Sequence, residues 1–135
     1  MRFDTKIAIA VRQDLETWQK LNVVAFLASG IAGIEGITGK PYEDASGNRY
    51  RELFREPVLV YAGDAATLTA VHQRALRRDL PIAVYTEDLF ATNNDDDNRA
   101  VVRAVPADSL NLVGLALHGP RNTIDKLCKG LKLHH

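Results

Sequence analysis

Short apolar, β-rich runs alternate along this chain with segments of helical periodicity, and that alternation restricts the available folds more than any other feature. Residues 6–12 (KIAIAVR), 57–61 (PVLVY), 81–85 (PIAVY) and 110–117 (LNLVGLAL) each read as a buried strand. After the first run, Val23, Val24, Phe26, Leu27, Ile31 and Ile34 recur at three- and four-residue spacing, which predicts a helix over residues 18–34. Gly30, Gly33, Gly36 and Gly39 weaken its end, and Lys40-Pro41 stops any continuation. Residues 42–51 (YEDASGNRYR) carry a Ser-Gly-Asn turn signal and predict a surface loop or small hairpin.

Asp64 suits the N-cap of a second helix reaching Arg78, with Leu68, Val71, Ala75 and Leu76 facing inward. A tight Arg-Asp-Leu connection leads into the third strand. The acids Asp95, Asp96 and Asp97 precede a short helix over residues 98–104, where the helix dipole favours negative charge, and a last helix covers residues 121–129. Strands alternating with helices imply right-handed βαβ crossovers and a sheet covered on both faces, in one domain spanning residues 1–135. Phe26, Leu27, Val58, Leu59, Leu68, Val84, Leu115 and Leu127 are the expected core.

Composition enters by exclusion. Seventeen basic and seventeen acidic residues cancel, whereas a dedicated nucleic-acid binder carries a basic excess. The single Cys128 has no internal partner, so the expected compartment is reducing and cytoplasmic. Residues 6–11 are too short for the core of a signal peptide, and no apolar run approaches a membrane span, so no membrane partner is expected. The terminal His134 and His135 are assigned no chemistry.

The recognisable motifs fail on detail. The glycine series before Lys40 follows a helix and has Pro41 where a phosphate loop needs Ser or Thr. The Asp95–Asp97 run lacks the alternation and terminal Glu of a calcium loop. His72 and His118 have no partner at zinc-ligand spacing, so neither a metal nor any other cofactor is expected. Ser29-Gly30 lacks a nucleophile elbow, and Cys128 occupies an apolar helical position.

Strand ends are more informative. Arg12 and Asp14 close the first strand, two residues apart and so on one side of an extended chain. Glu87, Asp88 and Thr92 follow the third. If those strands run parallel, the polar residues converge on one mouth beyond the strand C-termini, where open α/β sheets bind ligands.

With these residues in view, the chain resembles the type II peptidyl-tRNA hydrolases. Residues 6–15 (KIAIAVRQDL) are similar to that family's first strand. Residues 67–85 resemble its second helix, tight turn and third strand, and residues 112–133 (LVGLALHGPRNTIDKLCKGLKL) its closing strand and helix. The resemblance implies a three-layer α/β/α fold with a single four-stranded mixed sheet. It also implies a catalytic set: a lysine at the start of the first helix, a Gln and a His further along, and an Asp-x-x-x-Thr after the third strand. Asp88 and Thr92 match the last pair. Alignment on Val23-Val24-Ala25 puts Asn22 at the lysine, Phe26 at the Gln and Ser29 at the His, while Lys20 lies two residues early and on another side of the helix. The run from Leu21 to Leu27 and the inserted residues 42–51 look instead like an uncharacterised bacterial family sharing this fold.

Three functions follow as expectations. The first is a relative without hydrolase activity that binds a small ligand at the mouth, with Asn22, Asp88 and Thr92 at the catalytic positions and Arg12, Asp14, Ser29 and Glu87 contacting the ligand. The second is an active hydrolase with Lys20 replacing the missing lysine. The third is an RNA-binding or interaction module using Arg49, Arg51 and Arg55, or Arg74, Arg77 and Arg78. Weak, salt-sensitive tRNA binding and a homodimer are the partner expectations attached to these readings.

Overall fold

The computed structural model describes residues 3–135. Strand β1 (Thr5–Arg12) leads into helix α1 (Thr17–Ile31), whose first turn is closed by the Gln19 side chain accepting from the Glu16 N–H at 3.0 Å. A two-stranded hairpin follows, β2 (Tyr42–Glu43) and β3 (Arg49–Tyr50). Next come β4 (Val58–Gly63), α2 (Ala65–Arg77) and β5 (Ile82–Thr86). A 3-10 segment (Glu87–Ala91) leads to α3 (Asp95–Arg103), then β6 (Leu112–Pro120), α4 (Arg121–Leu127) and β7 (Lys132–Leu133).

The main sheet is mixed and has the order β5-β6-β1-β4-β7. β1 pairs parallel with β4 and antiparallel with β6, and β6 pairs antiparallel with β5, so β1, β4 and β5 all run the same way. The condition for a shared strand-end mouth is therefore met. The sheet has five strands where four were expected. The extra one is the two-residue β7, pairing Leu133 with Tyr61 and Lys132 with Ala62. Two exposed residues show no alternation that a sequence pattern can register.

Alternation along β1 sorts its side chains to two sides. Ile7, Ile9 and Val11 join Val23, Leu27 and Ile31 of α1 in one buried cluster. Ala8 joins Leu68, Val71 and Ala75 of α2 and Ile124 and Leu127 of α4 in the other. Gly114 fixes how close α1 sits to β6: a Cβ there would fall 2.6 Å from Val23 Cγ1 and 2.7 Å from Leu27 Cδ1.

Helix boundaries follow the caps. Asp64 accepts from the Thr67 N–H at 2.8 Å, as expected for α2. Asn94 accepts from the Asp97 N–H at 2.8 Å, which starts α3 three residues earlier than predicted and places the acids inside its first turn. α1 ends at Ile31, so Ile34 lies beyond it and is exposed. The sheet-facing stripe of α1 is Val23, Leu27 and Ile31 at four-residue spacing, which turns Phe26 about 100° away and leaves it 53% exposed rather than buried. Leu76 is likewise exposed beside the inward-facing Ala75. Leu27, Leu68, Leu115 and Leu127 are buried as expected, whereas Val58, Leu59 and Val84 are half-buried on strands near the sheet edges. Among the described residues no helix is long and apolar enough to cross a membrane.

Candidate functional site

The residues expected at one mouth fall into two neighbouring groups. Arg12 leaves the end of β1 with only 14% of its side chain exposed. Its Nε donates to Asp14 at 2.7 Å, its Nη1 donates to the Asn111 side chain at 2.8 Å, and Nη2 lies 3.7 Å from Glu87. Asn111 in turn donates to Glu87. The guanidinium thus ties together the ends of β1, β5 and β6, and two carboxylates already meet its charge. This arrangement leaves little of Arg12 to offer a ligand. Asn111, directly before β6, was missed by sequence reasoning; the sheet order places β6 between β1 and β5, so the residue that enters it bridges Arg12 and Glu87.

The second group lines a chamber of about 420 Å³ between α1 and the 3-10 segment with the start of α3. Asn22, Ser29 and Thr92 all line it. Asn22 and Ser29 share a helix face, being seven residues apart. The Asn22 amide lies 3.5 Å from the Tyr85 hydroxyl, and burial of that phenol pushes its pKa up, partly opposed by the Asn22 contact. Thr92 hydrogen-bonds to Leu89 O at 2.9 Å and to the Asn98 side chain. The Ser29 hydroxyl donates to Phe26 O at 2.6 Å within its own helix.

Asp88 belongs to neither group. It is exposed, does not line the chamber and makes no side-chain hydrogen bond or ion pair among the described residues. The 3-10 turn that carries Glu87 toward Arg12 carries Asp88 outward.

Aromatic rings supply the rest of the chamber. Trp18, Phe90, Tyr85 and Phe26 form a continuous row, with centroid separations of 6.1, 5.3 and 6.0 Å. Trp18 is 62% exposed, which a helix-starting aromatic with a core role would not be. Trp18, Tyr85, Phe90 and Asn98 were not recognised from sequence, and Phe26 was expected in the core and at the Gln position of the resemblance, because spacing gives no sign that a helix start and a 3-10 turn lie side by side. Among the described residues no lysine or arginine lines the chamber. Lys20 points to the far side of α1, where its Nζ lies 3.2 Å from the His134 ring. Among the described residues no group of three His, Cys, Asp or Glu side chains is placed to hold a metal ion.

Neither arginine cluster lines the chamber. Arg74 donates to Leu127 O and Lys129 O at 3.1 and 2.9 Å, capping the end of α4. Arg55 donates to Gly36 O at 3.3 Å, bracing the loop after α1.

A family model described as a protein of unknown function, DUF2000, matches residues 5–135. A solved structure of a protein of unknown function from Agrobacterium tumefaciens strain C58 is 47% identical to this chain. That match covers 99% of this chain and 100% of the other, with a TM-score of 0.95. No curated protein matches.

Proposed function

The chain belongs to the DUF2000 family, and from that premise we propose that it binds a small polar molecule with an apolar face in the chamber between α1 and the 3-10 segment, without hydrolysing it. One observation carries this reading. Asn22, Thr92, Asn98 and the Tyr85 hydroxyl converge on a row of four aromatic rings, in a chamber that no cationic side chain among the described residues lines. Rings bury an apolar face, and amides and hydroxyls fix its orientation by hydrogen bonds, which is the usual division of labour in small-molecule sites.

We read the two-sided covering of the sheet as a three-layer α/β/α arrangement akin to that of the type II peptidyl-tRNA hydrolases. The catalytic counterpart of that resemblance is weak at the atoms that matter. Ester hydrolysis develops negative charge on the carbonyl oxygen, and loss of one donor to such an oxyanion costs about 3 kcal/mol of transition-state stabilisation. Asn22 offers a neutral amide where the resemblance calls for an ammonium group. Lys20 is turned toward His134, and Asp88 is turned to solvent. Zero net charge and arginines engaged in bracing backbone carbonyls favour weak, salt-sensitive tRNA binding.

Trp18, the chain's one tryptophan, provides the test. Titration with a panel of neutral nucleosides, sugars and amino-acid amides is expected to give a saturable change in its fluorescence for at least one class. Asn22→Ala and Thr92→Ala should each weaken that binding by roughly tenfold, the scale of one lost buried hydrogen bond. A response unchanged in both variants, or turnover of peptidyl-tRNA at enzymatic rates, would reject the proposal.

A further inference from the structure

β5 stands at one end of the sheet order, and its outer edge has no strand partner among the described residues. Such an edge is a template for another chain, and proteins commonly blunt it with charge or proline. The sequence of β5, IAVYT, contains neither. Instead the edge forms the floor of a groove of about 570 Å³, contributed by Ala83, Val84 and Tyr85. Phe26 and Gly30 of α1 form one wall, and Val102 and Arg103 of α3 form the other. α3 buries none of its residues, and Phe26 opposite it is exposed.

We propose that this groove docks an extended peptide segment by strand addition to β5. The groove shares Phe26, Tyr85, Leu89, Asp95 and Asn98 with the neighbouring chamber, but the proposal rests on the free strand edge and not on the ligand assigned there. Length agrees with it: from Asp95 to Arg103 α3 walls about 12 Å, the span of about four extended residues, beside a strand of five.

Antiparallel addition is the slightly more stable pairing per residue, and charge then sets the order of the segment's residues. The first turn of α3 borders the chamber at the Tyr85 end of β5, and Arg103 borders only the groove. That first turn holds Asp95, Asp96 and Asp97 against the single Arg99, which pairs with Asp95 and Asp96. Arg103 makes no ion pair among the described residues. A segment antiparallel to β5 would therefore place its N-terminal end at the acids and its C-terminal end at Arg103. The preferred occupant is basic at its start, β-branched in its middle and acidic at its end. A second copy fits less well, because its own α1 and α3 would have to enter the same gap.

The probe is the blocked pentapeptide Lys-Val-Thr-Val-Asp, compared with its charge-reversed form Asp-Val-Thr-Val-Lys and with a form N-methylated at alternate residues. Backbone NMR on the whole protein is expected to show saturable shifts confined to the Ile82–Thr86 amides and the lining of α3. The first peptide should bind at least about threefold tighter than the reversed one, the scale of one exposed charge pair. Arg103→Glu should abolish or invert that preference, which a merely structural arginine would not do. N-methylation should weaken binding by about tenfold or more, since it removes the strand hydrogen bonds. Three results overturn the proposal: no shifts in β5 at millimolar peptide, equal binding of the N-methylated form, or a dimer with protected β5 amides in the peptide-free protein. The last would assign the edge to a second copy.

Discussion

Gly30 of α1 and Ala83 of β5 meet so closely that a Cβ on the glycine would lie 2.7 Å from the alanine Cβ. Two of the smallest side chains thus set the distance between the helix and the edge strand, and with it the depth of the groove beside them. Gly30→Ala gains about 1 kcal/mol of helix propensity but must push α1 and β5 apart, and overpacking of this kind costs about 1–3 kcal/mol. The expected result in urea unfolding is a net loss of stability. Adding Ala83→Gly should return part of it, giving a coupling energy above about 1 kcal/mol in the double-mutant cycle. Additive effects would show that the two residues do not set the spacing.

Arg12 holds three strand ends together. Charged hydrogen bonds contribute about 1.5–3 kcal/mol each when buried, but Asp14 and Glu87 are 67% and 52% exposed, so solvent screens both pairs. Arg12→Ala is expected to destabilise by about 1–3 kcal/mol, through the Asn111 bond and lost packing of its stem. Asp14→Ala should cost under about 1 kcal/mol. Equal costs for the two substitutions would contradict this order.

At position 22 the lost-lysine account makes a gain-of-function prediction. Wild type is expected to leave a model peptidyl-tRNA intact, and Asn22→Lys to introduce slow, measurable turnover by placing an ammonium group near the Tyr85 hydroxyl. Turnover by the wild type that Lys20→Ala abolishes would mean that α1 presents a different face to substrate.

His72 lies on α2, 4% exposed, with its Nδ1 lacking a hydrogen-bond partner among the described residues. Burial disfavours the imidazolium and lowers the pKa below the usual 6.5. The unfolded chain then binds a proton that the folded chain resists, so this contribution to stability is complete above pH 6.5 and declines as pH falls below it. Urea midpoints measured from pH 7.5 to 5 should show a shallower decline in His72→Leu than in wild type. Parallel curves would remove His72 as the cause.

Cys128 is 6% exposed, and burial raises its thiol pKa to about 11. Little thiolate exists at pH 8, so alkylation of the native protein should be slow and limited by opening. Denaturant should accelerate it sharply. Rapid native labelling would mean that the α4 end opens more readily than its packing implies.

The elements were legible in the sequence because they rest on local physics. The runs KIAIAVR, PIAVY and LVGLAL are apolar over strand length, and Asp64 can cap only the helix that follows it. Phe26 was misjudged because periodicity locates a stripe only to within about a residue. The difference between positions 26 and 27 is the difference between a groove wall and the core. β7 was invisible because its two residues gain strand character solely from pairing with Tyr61 and Ala62.

The candidate site divides along the same line. Sequence by itself identified Arg12, Asp14 and Glu87 as strand-end groups, whereas Asn22, Ser29 and Thr92 took their places from the resemblance to the type II peptidyl-tRNA hydrolases. Only the tertiary structure decided that the first three close on one another through Asn111 while the second three open onto Trp18, Tyr85 and Phe90. Placing β6 between β1 and β5, and seating the 3-10 segment against the start of α1, are contacts between residues at least 26 positions apart. No local propensity encodes such pairings. They arise when two apolar surfaces are buried at once, and that burial is settled only by the packing of the whole sheet.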